Sequence, residues 1–341
     1  MDGNFGGQST LLSNASLPEF VDLTRRSWAI TQEQLQRNAR QLFIETTVEG
    51  SSKRFQEVDL STYADVKTEG ADSEKAKVGT GYFMDLNVRT FSKEIDITLE
   101  MRQDNRYPEV KGLITSLAEF CDNRMELDLT HRFTFAGDTS YTDLNGETVT
   151  TEVGDNLALA SASHTLAFSA TTYNNIVTGN PAFSESSLES ALLIAATQIY
   201  NNFGELRQLN FNTIVSGPDP GTVRTIRQIL ESTADIDAIQ AGVKNVYMGQ
   251  FRHVVLPRMA TSAVGAYNSA KRRYWFLVAA GQGIQGFQAY LGVKQAPTLQ
   301  SPATGNNGED VHNLNWTFLT YCRYGIVTVS AKGLIASLVS N

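Results

Sequence analysis

Polar and apolar positions alternate most regularly between Gln41 and about Met125, where two strand-like runs frame a polar, glycine-containing tip and lead into a long amphipathic helix. Ile95, Ile97, Leu99 and Met101 alternate with Asp96, Thr98, Glu100 and Arg102, the period-two pattern of a strand with one buried face. A weaker outgoing run sets Val58, Leu60 and Val66 against Asp59, Ser61 and Asp65. Between them, the tip from Lys67 to Gly81 carries Gly70, Gly79 and Gly81, with Lys67, Lys75 and Lys77 balanced by Glu69, Asp72 and Glu74. Such a tip has nothing to pack on within its own chain. Because a long two-stranded hairpin is only marginally stable alone in water, the pattern predicts an arm that lies on a neighbouring subunit.

The segment before this arm, residues 1 to about 40, is rich in Gly, Ser, Asn, Gln and Arg with scattered apolar anchors at Leu17, Phe20, Trp28 and Ile30, and reads as an extended arm with one short helix. After it, Pro108 opens a helix predicted to Leu129, with Val110, Leu113, Ile114, Leu117, Cys121 and Met125 at three- and four-residue spacing. At roughly 1.5 Å per residue this helix is about 33 Å long, enough for a domain spine. Arg132 to Thr178 reads as β-meander, and Asn145-Gly146 centres a hairpin because both residues tolerate positive φ.

A second helix follows Pro181, where Ser186 and Glu189 have capping-box spacing and Leu188, Leu192, Ile199 and Phe203 fall on one side. Leu209 to Val215 reads as a strand, Gly217-Pro218-Asp219-Pro220-Gly221 as a rigid turn, and Val223 to Leu230 as a helix with Ile226 and Leu230 inward. Further strands are predicted at Val243 to Tyr247, Arg252 to Leu256, Tyr274 to Val278 and Ile326 to Val329, with a loop from Gln295 to Gly308.

With 341 residues, 41% of them hydrophobic and 19% charged, the chain can bury a sizeable core as one large domain or two intimate ones. A formal net charge of -8 argues against binding nucleic acid through a basic surface. Arg25, Arg26, Arg37 and Arg40 come nearest to a basic cluster, but Glu19, Asp22 and Glu33 interleave with them, as on a solvated face. Only Cys121 and Cys322 are present; both are expected in the core, with no disulfide framework. The residues Met1 to Gly7 lack the basic and apolar regions of an export signal, and no apolar run is long enough to cross a bilayer, so a soluble protein is expected.

Candidate chemistry fails on context. Gly281, Gly283 and Gly286 spell G-x-G-x-x-G after an apolar strand, yet no Asp or Glu lies between Gly281 and Glu309 to hold a ribose. His131, His164, His253 and His312 are scattered, without metal-ligand spacing. Asp143, Asn145, Gly146 and Glu152 loosely echo a calcium loop, but Tyr141 holds the first ligand position and the flanks are β. There is no nucleophile elbow and no Walker A sequence, and Asp96, Glu94 and Glu100 fit the wet face of a strand rather than an acid/base pair. No catalytic, cofactor or metal site is expected, and the chain reads as a non-enzyme.

The order of elements resembles the major capsid protein of tailed bacteriophages, whose fold is shared with encapsulin shells. Ser186 to Pro220 with the helix Val223 to Leu230, the strand Tyr274-Trp275-Phe276-Leu277-Val278, and the terminal run around Trp316, Arg323, Tyr324, Gly325, Ile326 and Val327 carry the likeness. The resemblance implies an α+β fold with an N-terminal arm (1–44), an extended hairpin loop (45–102), a peripheral domain with the spine helix and a sheet (103–179), an axial α/β domain (180–310) and a return to the peripheral domain (311–341). The implied function is structural: pentamers and hexamers of one chain forming an icosahedral virion shell around double-stranded DNA, without sequence-specific binding and without membrane, assembled in the host cytoplasm with scaffold, portal or cement proteins as partners. Lys67, Glu69, Asp72, Glu74, Lys75 and Lys77 of the tip, with Arg25 and Arg26 of the arm, are the expected inter-subunit contacts. An encapsulin-like compartment has the same fold, a β-rich decoration, tail or adhesin protein is a structural rival, and an enzyme with no recognisable motif is the alternative of another class.

Overall fold

The structure, a computed structural model, describes residues 17–60, 63–64, 66–70, 72–73, 75–104, 107–232, 245–283, 286–302 and 314–339. Its elements are, in chain order, α1 (Leu17–Gln34), β1 (Ile44–Thr47), β2 (Ser52–Leu60), β3 (Val78–Asn87), β4 (Arg89–Ile97), α2 (Leu99–Gln103), α3 (Tyr107–Thr134), β5 (Ser140–Thr142), β6 (Thr148–Thr150), β7 (His164–Thr165), β8 (Thr172–Tyr173), α4 (Glu185–Thr197), β9 (Thr213–Ser216), α5 (Pro220–Glu231), β10 (Arg252–Val255), β11 (Trp275–Val278), β12 (Gln288–Gln300), β13 (Trp316–Ser330) and β14 (Leu334–Ser337). The fold is mixed α+β, with small sheets and five α-helices among the described residues. The chain forms two compact units, one of Met1–Arg37, Val88–Met125 and Val293–Tyr324, the other of Asn38–Asn87, Glu126–Gly292 and Gly325–Asn341.

In the first unit β4 pairs antiparallel with β13, from Ile97 opposite Trp316 to Arg89 opposite Tyr324. The predicted alternation holds only as far as Ile97. There Thr98 Oγ1 accepts a hydrogen bond from Met101 N at 3.3 Å, a hydroxyl cap that turns the chain into α2 and takes Leu99 and Met101 out of the strand predicted for them. The arm, expected to be extended with one short helix, carries an 18-residue helix from residue 17. Phe20 and Val21 of that helix, Ile97, Val110, Ile114 and Leu117 of β4 and α3, and Trp316 and Phe318 of β13 make one apolar core. Arg37 closes its edge on Asp122 at 2.9 Å. Cys121 and Cys322 are both buried, as expected of core residues, with no disulfide between them, and Cys121 Sγ lies 3.7 Å from Thr320 Oγ1.

α3 is 28 residues, about 42 Å at roughly 1.5 Å per residue, longer at both ends than the predicted spine. The extra turn at its C-terminus is held by Arg132, whose guanidinium donates to Thr150 O at 2.5 Å and Ile326 O at 2.9 Å within the second unit. Lys271 Nζ sits 3.6 Å over the Phe135 ring and donates to Thr134 O at 3.0 Å, a cation on the last turn where the helix dipole favours it.

The second unit is built on a sheet of order β10-β9-β11-β14, with β9 and β10 parallel and the other pairs antiparallel. α5 lies in the connection that a parallel pair requires. β9, β11 and β14 are buried along their whole length, and Ile214, Trp275, Leu277 and Ile335 pack with Leu188, Ala191, Ile226 and Ile229 of α4 and α5. The proline turn is fixed sterically: a Cβ on Gly217 would meet Arg272 O at 2.2 Å. Asp219 then caps α5, its Oδ2 accepting from Thr222 N at 3.0 Å, with Pro220 at the first helical position.

Several boundaries differ from the sequence reading for local reasons. α4 starts at Glu185, because the capping box is Ser184 with Ser187 rather than Ser186 with Glu189; Ile199 and Phe203 fall beyond its end. β9 begins at Thr213, not at Leu209. Asn145-Gly146 does centre a hairpin, β5 with β6, in which Asp143 Oδ1 accepts from Asn145 N and Glu147 N at 2.8 and 3.1 Å. Beyond Thr150 the expected meander shrinks to the two-residue strands β7 and β8. Asn245 to Tyr247 form a turn instead of a strand, since Asn245 bonds its own chain at Tyr247 N, 2.9 Å away, and Ser232 O, 3.0 Å away; Val243 and Lys244 lie outside the described residues. β12 runs on to Gln300 where a loop was predicted, carrying Pro297, which a strand accepts where no ladder donor is needed.

Candidate functional site

The predicted arm is present, with different partners. β2 pairs with β3, from Ser52 opposite Asn87 to Leu60 opposite Val78, whereas the outgoing run was expected to meet the strand at Ile95. Arg54 forks onto Asp85 across this hairpin at 2.7 and 2.8 Å and stacks 4.1 Å over Phe83. The register shifts between Gln56 and Val58, where β3 takes an extra residue, while the alternation along β2 runs unbroken and puts Lys53, Phe55, Glu57 and Asp59 on its more buried face. Val58, expected inward, is 49% exposed, while Glu57 and Asp59 are 2% and 4% exposed.

Burying two carboxylates on one strand demands compensation, and residues far away in sequence supply it. Lys332 Nζ lies 2.5 Å from Glu57 Oε1 and 3.2 Å from Asp59 Oδ2, and Arg207 Nη1 lies 2.9 Å from Asp59 Oδ1. Ser330 Oγ donates to Glu57 Oε1 at 3.1 Å. Asn202 completes the group, its backbone N–H donating to Asp59 Oδ2 at 2.9 Å and its Nδ2 to Glu57 Oε2 at 2.8 Å. β3 crosses this cluster with glycines at the two close approaches: a Cβ on Gly81 would meet Asn202 Nδ2 at 2.3 Å, and one on Gly79 would meet the Phe168 ring at 2.5 Å. The hairpin is thus anchored on its own chain at Glu57 and Asp59, and Gly79 and Gly81, expected in a tip with nothing to pack on, lie close against Phe168 and Asn202.

The tip beyond the anchor is different. Lys67, Glu69, Asp72, Lys75 and Lys77 are exposed, as are Tyr63 at 64%, Val66 at 97% and Val78 at 67%. Glu74 lies outside the described residues. The other two predicted contact residues belong to the first unit: Arg26 pairs with Asp22 at 2.7 Å along one face of α1, and Arg25 donates to Ser301 Oγ at 2.9 Å. The structure therefore gathers the tip residues in one loop of the second unit, with Arg25 and Arg26 on a helix of the other unit.

Each described histidine has a local role. His164 Nδ1 meets Asp155 Oδ2 at 2.8 Å and stacks on Tyr173, and His131 makes edge contacts with Phe135 and Tyr141. His253 Nε2 meets Ser216 Oγ at 2.8 Å, but burial, with Arg227 nearby, pushes its pKa down to about 4. A cation beside the ring opposes the protonation that a general base must undergo, so this pair lacks the oriented acid of a nucleophilic triad. His312 lies outside the described residues, which contain no group of three His, Cys, Asp or Glu able to hold a metal. Among the described residues no helix is long and apolar enough to cross a membrane.

No protein-family model matches the chain, and no curated protein sequence matches it. Solved structures do. The chain is similar to a virus-like particle protein from Pyrococcus furiosus at 11% identity, covering 93% of this chain and 99% of that one with a TM-score of 0.45. It is similar to the capsid protein of cyanophage P-SCSP1u at 14% identity, over 87% of this chain and 86% of that one, with a TM-score of 0.47. The capsid of the myovirus phage XM1 is similar at 9% identity, over 87% and 89% of the two chains, with a TM-score of 0.45.

Proposed function

We propose that this chain is a structural subunit of a self-assembling protein shell, the major capsid protein of a tailed-phage head. The observation that carries the reading is the hairpin, anchored by a buried charge cluster at Glu57 and Asp59 yet carrying a tip on which Tyr63, Val66 and Val78 stand exposed among lysines and acids. An anchored arm with an uncovered apolar and charged end suits a neighbouring subunit as its cover, since scattered exposed pairs contribute little singly but add up over a lattice. The order of arm, hairpin, long helix and central α/β block supports the same reading, with residues 180–310 as the axial domain and 103–179 with 311–341 as the peripheral one. Pentamers and hexamers of this chain enclose packaged double-stranded DNA in the virion, after assembly in the host cytoplasm. A net charge of -8 suits an interior that does not hold phosphate tightly.

Light scattering after size exclusion tests this on the full, untagged chain and on a variant with residues 63–77 replaced by a short Gly-Ser turn. The full chain is expected to elute as large closed assemblies or rings and the variant as small species that keep the wild-type circular dichroism. A full chain that stays a monomer or dimer contradicts the reading.

A further inference from the structure

We propose that Cys121 and Cys322, the only cysteines of the chain, form a redox latch: a dithiol that closes to a disulfide between α3 and β13 when a peroxide oxidises it, stabilises the subunit, and reopens under a thiol reductant. Burial alternates along β13, with Trp316, Phe318, Thr320, Cys322 and Tyr324 buried and the residues between them half-buried. Cys322 therefore shares the inner face of the strand with Thr320, whose Oγ1 lies 3.7 Å from Cys121 Sγ. On that face the Cys121 and Cys322 side chains are hydrogen-bonded to each other. Ile114 and Leu117 of α3 pack with Trp316 and Phe318 of β13 in one core, so helix and strand are clamped together beside the pair. A disulfide draws its sulfurs to about 2.05 Å, and thiols already in contact reach that length without the two elements separating. A buried cysteine usually serves as a small apolar residue. Here two cysteines from distant parts of the chain meet sulfur to sulfur, which packing alone does not require.

The order of attack follows from the surroundings. The hydrogen bond from Cys322 holds the Cys121 thiol below its ordinary pKa against the opposing effect of burial, and the thiolate is the reactive form. The carboxylate of Asp122 disfavours that thiolate, but Arg37 engages it at 2.9 Å. Cys121 is also the more accessible sulfur, at 3% exposure against 0% for Cys322. Cys121 gives up its proton and its sulfur attacks one oxygen of the peroxide. The O–O bond breaks, Cys121 becomes a sulfenic acid, and the departing hydroxide takes up the released proton as water. Cys322 then attacks the Cys121 sulfur, the S–O bond breaks, and the leaving hydroxide takes the Cys322 proton as a second water. Two thiols and one hydrogen peroxide become one disulfide and two waters, each sulfur giving up one electron to the peroxide oxygens. The closed bond constrains the unfolded chain over the long loop from α3 to β13, which raises stability. Reducing surroundings keep such a pair open and oxidising ones close it.

Peroxide treatment of the folded, full wild-type chain tests this independently of any shell. The treated chain is denatured in iodoacetamide without reductant, digested with trypsin and read at its cysteine peptides by mass spectrometry. Neither cysteine is expected to be alkylated, and one peptide pair should appear joined from Cys121 to Cys322, two hydrogens lighter than its parts. Dithiothreitol should restore both alkylation sites. The urea midpoint of the oxidised chain should lie above that of the same sample after dithiothreitol, a comparison in which methionine oxidation is common to both because dithiothreitol leaves the sulfoxide in place. Two alkylated cysteines after peroxide overturn the proposal, as does a sulfinic acid on one cysteine with the other still alkylated. A disulfide joining two chains, seen as a dimer on a non-reducing gel, overturns it equally, and so does an internal disulfide that leaves the urea midpoint unchanged.

Discussion

Arg132, His253 and the pair Glu57 and Asp59 show how single side chains are decided by partners far along the chain. Arg132 reads as the first residue of a meander, yet it lies in the last turn of α3, buried with its guanidinium on two backbone carbonyls, Thr150 O and Ile326 O. Arg132→Met keeps the stem and removes both donors. The two stranded carbonyls should cost about 1–3 kcal/mol, read as a lowered urea midpoint at unchanged slope. His253 carries a pH dependence of definite sign. Its folded pKa, about 4, lies below the ordinary 6.5, so the unfolded chain binds the proton first. The stabilising contribution of the neutral ring is complete above about pH 6.5 and is lost as the pH falls from there to about 4. Stability of His253→Gln should vary less over that window than stability of the wild type, measured by urea titration at each pH. Asp59 was legible as a strand residue but not as a buried one. Alternation with Val58 and Leu60 assigns it to solvent, whereas Lys332 and Arg207 make the face of Glu57 and Asp59 the buried one. A sequence pattern carries no trace of that choice, because Lys332 lies 273 residues beyond Asp59.

At the scale of elements, the parts governed by local periodicity and turn chemistry could be read directly. The long helix, the Asn145-Gly146 hairpin, the proline turn and the strands at Arg252, Tyr274 and Ile326 are where residue spacing puts them. Boundaries moved where a single hydroxyl or amide intervenes, as Thr98 does before α2 and Ser184 before α4, and such caps compete with one another in any Ser- and Thr-rich stretch. Strand partners were the least legible, since β4 meets β13 across more than two hundred residues while β2 takes β3. The cap of α5 offers a clean test. Asp219 accepts from Thr222 N and also faces Arg272 Nε at 3.3 Å. Asp219→Ala should lose about 1 kcal/mol of stability in thermal or urea unfolding, whereas Asp219→Asn, which keeps the cap and loses only the charge, should lose clearly less.

For the whole molecule, sequence organisation suggested arms reaching beyond the chain, and the structure divides the hairpin into an anchored stretch and an exposed tip. This division makes a prediction about assembly rather than folding. Replacing Lys67, Lys75 and Lys77 together by Glu turns a balanced tip acidic at exposed positions. The triple variant should keep the wild-type melting temperature of the dissociated subunit while its assembly shifts to higher protein concentration or salt, as followed by static light scattering. The most direct measurement is electron microscopy of the purified full-length protein in negative stain. The shell reading predicts hollow closed particles, or rings of five and six subunits, in the wild type. A field of single small particles, unchanged by concentration, would contradict it.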